Sequence, residues 1–316
     1  MKLNIKTILL LSFSLLFVLG SVSNASAQFK KNKSSTTGSK FKIKKKGNIH
    51  SRTMHKNYIS SIKGFAGINS ATYFGELCDK GECIKLRPSI SLGAYYRYDQ
   101  HFTFRSSLSW FRLAGSDEGN KFEARNLHFR SDNFELKIDG TYDLFAYNKM
   151  YRRRKEFVPY FSAGIALFTY TPKAKLDGKW YNLRKFQTEG VKYGKMSLAI
   201  PIGGGVRIKV NPLININLEL AYRFTFIDYL DDISHEYSQE IYDLPATDIR
   251  RRLANRFAEL NPKREGNRVV KRGGNTAYDT YFMFGASIDY TLKVTKQHNG
   301  LRKKTSRMRL RKMIKK

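Results

Sequence analysis

The stretch NPLININLELAYRFTF, residues 211–226, places an apolar residue at every second position after its turn. The apolar positions are Ile214, Ile216, Leu218, Leu220, Tyr222, Phe224 and Phe226. Side chains alternate between the two faces of a β-strand, so this spacing predicts a strand with one apolar and one mainly polar face. The pattern leaves open whether a soluble core, the inside of a lipocalin-like barrel or lipid covers the apolar face.

Seven further segments show the same period and bring the predicted strand count to eight. They are residues 57–74, 90–98, 102–110, 134–144, 157–170, 196–210 and 282–294. Short or moderate connections (99–100, 146–156, 211–212) alternate with long ones (75–86, 114–127, 171–195, 227–279). This alternation is typical of outer-membrane barrels. The sequence therefore predicts an all-β protein, an eight-stranded antiparallel up-and-down transmembrane β-barrel with long outer loops, over residues 58–294.

The first 27 residues predict a cleaved signal peptide, residues 1–27. Lys2 and Lys6 precede an apolar run over residues 7–20, and the small residues 25–27 follow. Export and the aromatic content of 14% favour lipid as the cover of the apolar faces. We therefore expect an outer-membrane protein, and an even number of strands predicts that both termini are periplasmic.

The net charge of +32 is unevenly distributed. Residues 28–57 carry ten lysines and arginines and no acid, and residues 293–316 carry eleven and no acid. We expect two basic disordered tails, residues 28–57 and 295–316, and export argues against nucleic acid as their partner. The candidate residues for binding an anionic protein partner or outer-membrane lipid are Arg152, Arg153, Arg154, Lys155, Arg302, Lys303, Lys304, Arg307, Arg309, Arg311 and Lys312.

An eight-stranded barrel is just wide enough for its own side chains, so we expect a filled lumen. The polar faces would place charges of both signs there, which are expected to pair. They are Arg97, Arg105, Glu135, Lys137, Asp139, Arg207, Glu219, Arg223 and Asp289.

Candidate chemistry is sparse. Cys78 and Cys83 predict one disulfide within the first outer loop. Asp231, Asp232 and His235 suggest either a hydrolytic site or, as the favoured interpretation, carboxylates that bind loop amides or arginines at the barrel rim. No phosphate loop, nucleophile elbow or metal-ligand spacing is present, so we expect no enzyme, no cofactor and no metal.

The longest loop contains TDIRRRLANRFAEL, residues 247–260, which predicts an amphipathic helix with Thr247 as its cap. This helix would serve as a lid on the barrel mouth or as a docking surface. Arg125 and Arg130 are expected either to pair with acids or to contact lipopolysaccharide.

Seven stretches resemble the PorG-like outer-membrane β-barrel family of the type IX secretion system in Bacteroidota. They are YFGEL (73–77), LRPS (86–89), RNLHFRSDNFEL (125–136), PYFSAGIALFTYTPKA (159–174), KWYNLRKFQTEG (179–190), IPIGGGVR (200–207) and LAYRFTFIDYLDDIS (220–234). The resemblance implies a non-enzymatic envelope component that works with a periplasmic ring and the translocon, sometimes linked to gliding motility. The alternative is a small independent outer-membrane barrel, an OmpA-like stabiliser or a narrow channel.

Overall fold

A computed structural model describes residues 59–77, 85–120, 122–148, 150–260, 272–274 and 278–296. The signal peptide and the N-terminal tail lie outside these residues, as does the C-terminal tail beyond Lys296. Cys78 and Cys83 also lie outside them, so the disulfide stays a prediction. The same holds for the tail candidates Arg302, Lys303, Lys304, Arg307, Arg309, Arg311 and Lys312.

The described residues form ten strands, eight of which close into a barrel. The strands are β1 (Ile59–Phe74), β2 (Arg87–Arg97), β3 (Phe102–Ser116), β4 (His128–Asp143), β5 (Phe157–Thr169), β6 (Pro172–Leu176), β7 (Lys179–Asn182), β8 (Met196–Lys209), β9 (Ile214–Thr225) and β10 (Thr280–Lys296). Antiparallel neighbours follow the order β3–β2–β1–β10–β9–β8–β5–β4, and pairing of β3 with β4 closes the ring. The predicted eight-stranded barrel is confirmed.

The apolar faces of the strands point outward. On β9, Leu218 and Leu220 are 48% and 45% exposed, whereas Asn215 and Asn217 are buried in the lumen. The same holds on β4, where Leu136 is exposed and Lys137 is buried. A soluble barrel directs its apolar positions inward, so this arrangement is that of a transmembrane barrel whose apolar belt faces lipid.

Connections of different length separate the two ends of the barrel. The short-turn end carries residues 98–101, 144–156 and 210–213, and the long-loop end carries 75–86, 117–127, 170–195 and 226–279. Ile59 pairs with Lys296, so the first strand begins and the last strand ends at the short-turn end. The predicted alternation is confirmed, although β3 extends to Ser116, beyond its predicted end.

The long loops contain structure that the sequence reading treated as plain connection. Strands β6 and β7 form a hairpin that extends the sheet from β4. Its turn is Asp177-Gly178, with φ angles of 48° and 80° at the two residues. Two residues in the left-handed region define a tight hairpin turn, for which an Asp-Gly pair is a strong sequence signal. The Asp-Gly pair is therefore the sequence signal for this hairpin.

The predicted helix over residues 247–260 is wrong as a single element. The α-helices in the described residues are α1 (Leu183–Phe186), α2 (Gln239–Tyr242), α3 (Ile249–Ala254) and α4 (Phe257–Leu260), and two short 3-10 helices span Glu123–Arg125 and Tyr151–Arg153. Between α3 and α4, Asn255 is extended and the Arg256 side chain turns inward to bond the Lys175 carbonyl at 2.7 Å. These contacts interrupt the helix. The cap is Asp248, which accepts a hydrogen bond from the Arg250 amide, and not Thr247.

No helix in the part of the chain that the structure describes is long and apolar enough to cross a membrane.

Candidate functional site

The middle of the lumen is filled by a network of ion pairs centred on Arg105. Its guanidinium donates to Asp139 at 2.9 Å and to Glu219 at 2.8 Å, and Lys137 lies 3.5 Å from Glu219. These side chains come from β3, β4 and β9, whose polar faces all point inward. The pairing of opposite charges offsets the cost of removing them from water.

Further pairs fill the lumen on both sides of Arg105. Asp143 accepts bonds from Arg97 at 2.9 Å and Arg207 at 2.8 Å. Lys63 donates to Asp289 at 2.7 Å. Glu135 accepts from the Tyr281 hydroxyl at 2.7 Å and lies 3.4 Å from Arg223. All nine predicted lumen residues therefore take part in pairs, and a filled lumen is what the structure shows.

A small polar cavity of about 40 Å³ remains within this network. It has room for roughly three water molecules. Its lining includes Arg105, Lys137, Glu219 and Arg223 together with serines of β2 and β3. The space therefore suits water among charges and not a larger solute.

Towards the long-loop end, the lumen changes from ionic to aromatic. Phe111 stacks on Tyr281 with centroids 5.0 Å apart, and Phe168 meets Tyr281 edge to face at 5.5 Å. Tyr73 and Phe129 form a similar pair at 4.9 Å. The lumen-facing positions here are aromatic and no longer polar, so the alternation does not extend to this end and did not predict the aromatic interior.

A loop cap, formed by residues 117–127, 170–195 and 226–274 as far as they are described, covers this aromatic layer. Arg272 is fully buried in the cap and donates to Glu189 at 2.9 Å, to Thr188 at 2.9 Å and to Asp232 at 3.1 Å. Burial raises the pKa of Asp232 to about 6, although Arg272 acts in the opposite direction. The arginine thus joins two loops that are far apart in sequence.

Arg125 has a similar role in the cap. It donates to both carboxylate oxygens of Asp117, at 2.9 and 2.7 Å, and its guanidinium also bonds the Arg272 carbonyl. Of the two outcomes expected for Arg125, pairing with an acid is therefore confirmed.

The residues Asp231, Asp232 and His235 do not form a hydrolytic group. Asp231 accepts from the Ile233 amide at 2.9 Å, and Asp232 binds Arg272. The His235 ring lies 3.2 Å from the Tyr229 hydroxyl, and its backbone amide donates to Glu189. The carboxylates therefore bind loop amides and an arginine, as the favoured interpretation predicted.

An acidic triad, formed by Glu76, Asp231 and Asp279, lies beneath the cap. Its carboxylate oxygens lie within 4.8 Å of one another, although the residues come from three separate segments. Sequence spacing gave no signal for this cluster. Burial and the Asp231 charge raise the pKa of Glu76 to about 9, and burial raises that of Asp231 to about 7. Burial and the Asp231 charge also raise the pKa of Asp279.

The Tyr73 hydroxyl shows how the triad is accommodated. It lies 2.6 Å from Asp231 and 2.9 Å from Asp279. A phenol carries one proton, so it donates to only one carboxylate, and the second contact is a hydrogen bond only when that carboxyl is protonated. Carboxylate oxygens are also the ligands that Ca²⁺ and Mg²⁺ prefer. The cluster therefore needs a positive charge, and a proton supplies it with the least rearrangement.

The short-turn rim presents the basic run that the sequence singled out. Arg152, Arg153 and Lys155 are exposed, whereas Arg154 is half-buried. Arg154 donates to the Asn148 carbonyl at 3.0 Å and covers the Tyr147 ring at 4.3 Å. Arg154 thus supports the turn. Within the described residues, Arg152 and Arg153 have no hydrogen bond or ion pair to their side chains and are available to a partner.

A family model described as a domain of unknown function (DUF6089) matches residues 47–244. A comparison with curated proteins found no match.

Solved structures with a similar fold include three bacterial proteins. Neisserial surface protein A is 11% identical with a TM-score of 0.41, covering 74% of this chain and 99% of its own. OprG from Pseudomonas aeruginosa is 12% identical with a TM-score of 0.34, covering 75% and 97%. Ail, the attachment invasion locus protein of Yersinia pestis, is 11% identical with a TM-score of 0.35, covering 73% and 99%. At such identities the likeness concerns the fold alone.

Proposed function

The chain belongs to the DUF6089 family, and we propose that it is an outer-membrane anchor of the type IX secretion system that holds a periplasmic ring and translocon assembly at the membrane. In this proposal the signal peptide is cleaved, the long loops face outward, and the short-turn rim and both termini are periplasmic. The protein acts by binding and performs no catalysis.

The filled lumen carries this proposal. Arg105 with Asp139 and Glu219, and Asp143 with two arginines, occupy the interior with paired charges. Opening a path would leave charges unpaired in a poorly hydrated interior, which costs several kcal/mol for each ion. An interior of this kind suits an anchor better than a route for solutes or cargo.

The short-turn rim supports binding of an anionic protein partner. Arg152 and Arg153 are exposed there, and Ile59 and Lys296, from which the two tails continue, are at the same end of the barrel. Basic groups grouped at one end speed the encounter with an acidic surface and make it dependent on salt. The periplasmic ring is the proposed acidic partner.

The segments that resemble the secretion-system barrels also contain the central contacts of the cap. YFGEL includes Glu76, RNLHFRSDNFEL includes Arg125, and KWYNLRKFQTEG includes Glu189. LAYRFTFIDYLDDIS includes Asp231 and Asp232. The resemblance therefore falls on residues that determine the shape of the outer surface, and not only on strands that any barrel would have.

A small independent barrel, acting as a stabiliser of the membrane, is the second candidate. The observation in its favour is that the cap and the lumen satisfy their buried charges internally, as Arg272 and Arg105 show. Such a barrel would need no partner to be stable.

The two candidates differ in what remains attached to the protein. We would cross-link cells that carry the tagged full-length chain and identify the attached proteins by mass spectrometry. We would then compare the variant Arg152→Glu/Arg153→Glu with the variant Lys192→Glu/Lys195→Glu, a matched pair of exposed lysines at the long-loop end.

Under the proposal, the first variant loses the ring proteins and reduces cargo release, and the second retains both. Removal of residues 297–316, beyond the last strand, should weaken the same contact. The secretion role is wrong if two results are found together. The wild-type chain inserts normally but cross-links to no ring or translocon protein, and cells that lack the protein release cargo normally. The independent barrel is then favoured.

A further inference from the structure

Where the structure describes the side chains of the outward barrel face, charged ones occur in one place. Among the described outward positions of the eight barrel strands, the only arginine, lysine, aspartate or glutamate side chains are Arg112, Arg130 and Asp132. All three lie on β3 and β4 at the long-loop end. Charges facing hydrocarbon are costly, so this group marks the upper edge of the lipid-facing belt.

The residues below this group change character in the order expected at a membrane surface. On paired positions of β3 and β4, Leu108 faces Leu136, then Trp110 faces Phe134, then Arg112 faces Asp132. Each step advances two residues, or about 7 Å. Aliphatic, aromatic and charged layers correspond to hydrocarbon, interface and headgroup. Arg112 and Arg130 therefore lie at headgroup level.

The hairpin β6–β7 adds two more positive charges to this level. Lys173 is paired directly with Arg130 across β4 and β6, and Lys175 follows on the same face. Like charges directly opposite each other destabilise a sheet. An anion between Arg130 and Lys173 would remove this repulsion.

The acids near these residues neutralise only part of the charge. Asp132 accepts from Arg112 at 2.6 Å and lies 3.8 Å from Arg130. Two further acids are already paired, Asp177 with Arg252 and Glu259 with Arg256. Within the described residues, no acid lies within ion-pair distance of Lys173 or Lys175. The basic patch, defined as Arg112, Arg130, Lys173 and Lys175, thus keeps an excess of positive charge.

An aromatic side chain completes the patch. The Arg130 guanidinium lies 4.4 Å from the centre of the Trp180 ring, and Trp180 is 42% exposed. Stacking on the ring holds the planar guanidinium in place, and an arginine so held binds phosphate oxygens in a bidentate manner. A lysine opposite supplies a second charge to the same phosphate.

We propose that the basic patch binds the phosphate of a phosphorylated glycolipid in the outer leaflet, with the acyl chains of that lipid lying against the belt below Trp110 and Phe134. The proposal requires insertion with the long loops outward, but it does not depend on the secretion role. A bound lipid of this kind would fix the β6–β7 hairpin, and the loop cap that packs on it, at the membrane surface.

The test uses the purified full-length mature chain in detergent, titrated with bisphosphorylated lipid A and, separately, with the same lipid after removal of both phosphates. Binding is measured by native mass spectrometry and by the shift in melting temperature. The variant Arg130→Gln/Lys173→Gln removes the opposed cations. The matched control, Lys192→Gln/Lys195→Gln, removes two exposed cations from the same end of the barrel, outside the patch.

We expect the wild-type chain to bind phosphorylated lipid A at least about tenfold more tightly than the phosphate-free lipid, because charged hydrogen bonds to phosphate are lost in the latter. The double variant should lose at least about tenfold in affinity for the phosphorylated lipid, and the control should stay within about twofold. Without lipid, Lys173→Gln alone should melt no lower than wild type, since it removes the repulsion and keeps the contacts of Arg130 with Asp132 and Trp180.

Equal binding of the two lipids by the wild-type chain would overturn the proposal, as would unchanged binding by the double variant. Competition by inorganic phosphate at the same concentration as the lipid would also overturn it, because the site would then not select a lipid. If the double variant does not fold, Lys173→Gln alone is tested in its place. This variant keeps the ion pairs of Arg112 and Arg130 with Asp132, and it must still weaken binding of the phosphorylated lipid.

Discussion

Arg272 and Glu189 are 83 residues apart in sequence, and their side chains form a buried ion pair of 2.9 Å within the loop cap. The same guanidinium reaches Asp232 and the carbonyl of Ala254. One side chain thus joins the loop that follows β5 to the loop that follows β9. The shape of the long-loop end depends on this contact, whereas the barrel strands are held by their own ladders.

Replacement of Arg272 should open the cap and leave the barrel intact. In Arg272→Gln, Glu189 and Asp232 would be buried without their partner, which costs about 3–5 kcal/mol of cap stability. We expect faster hydrogen exchange and proteolysis in residues 183–195 and 228–260, with unchanged exchange in β9 and β10. Arg252→Gln is the control, since its ion pair with Asp177 is exposed and its loss should change little. Unchanged exchange in Arg272→Gln would contradict the role of this residue.

The cap should also loosen as pH rises. The pKa of Asp231 is raised to about 7 and that of Glu76 to about 9, against values near 4 in the unfolded chain. The folded cap therefore binds more protons than the open one between about pH 4 and 9, and its stability falls through this range. Hydrogen exchange of residues 228–234, corrected for the intrinsic effect of pH, measures this.

The variant Asp279→Asn separates the triad from other titrating groups. It keeps the shape of the side chain and removes one charge, so exchange in the cap should become less dependent on pH. Asp177→Asn, an exposed acid on the β6–β7 turn, serves as the control. The series should be repeated with EDTA. Without EDTA, a cation bound by the carboxylates would replace the shared proton and remove the pH dependence of exchange. A flat pH profile in wild type with EDTA would contradict proton sharing.

Loss of Arg105 should destabilise the barrel itself. In Arg105→Ala, the carboxylates of Asp139 and Glu219 lose their main partner inside the lumen. We expect a loss of about 3–5 kcal/mol in the free energy of unfolding, measured by urea denaturation in lipid vesicles. Lys137 also pairs with Asp139 and Glu219. The quadruple variant Arg105→Met/Lys137→Met/Asp139→Leu/Glu219→Met therefore removes two cations together with two acids and should recover part of that loss. A quadruple variant less stable than Arg105→Ala would show that the network contributes more than charge balance.

The outward apolar face is tested by a single charge at mid-belt. Leu136 is 50% exposed and lies in the middle of β4. In vesicles, Leu136→Arg should cost about 2–4 kcal/mol, because the guanidinium must enter hydrocarbon. Ile249→Arg, at an exposed position of α3, should cost much less. Equal stability of the two variants in vesicles would mean that this face does not contact lipid.

The strands and the division of their two faces follow from local sequence alone. A strand is a local structure in which side chains alternate, so residues 211–226 were sufficient to identify β9 and its polar side. Loop lengths then predicted the up-and-down topology of the barrel, since a short turn is enough to join two neighbouring antiparallel strands. The lumen charges also followed from alternation, because residues such as Arg105 and Glu219 stand on the polar side of their strands.

Contacts between residues far apart in the chain become visible only once the chain is folded. Arg256 turns inward to bond Lys175 and breaks a segment that has helical spacing into α3 and α4. The acidic triad has no signal in sequence, because its members meet only after the barrel has closed. The direction of the apolar faces was decided in the same way. Alternation is identical in a soluble and a membrane barrel, and only closure of the sheet with Leu218 outside and Asn217 inside distinguishes them.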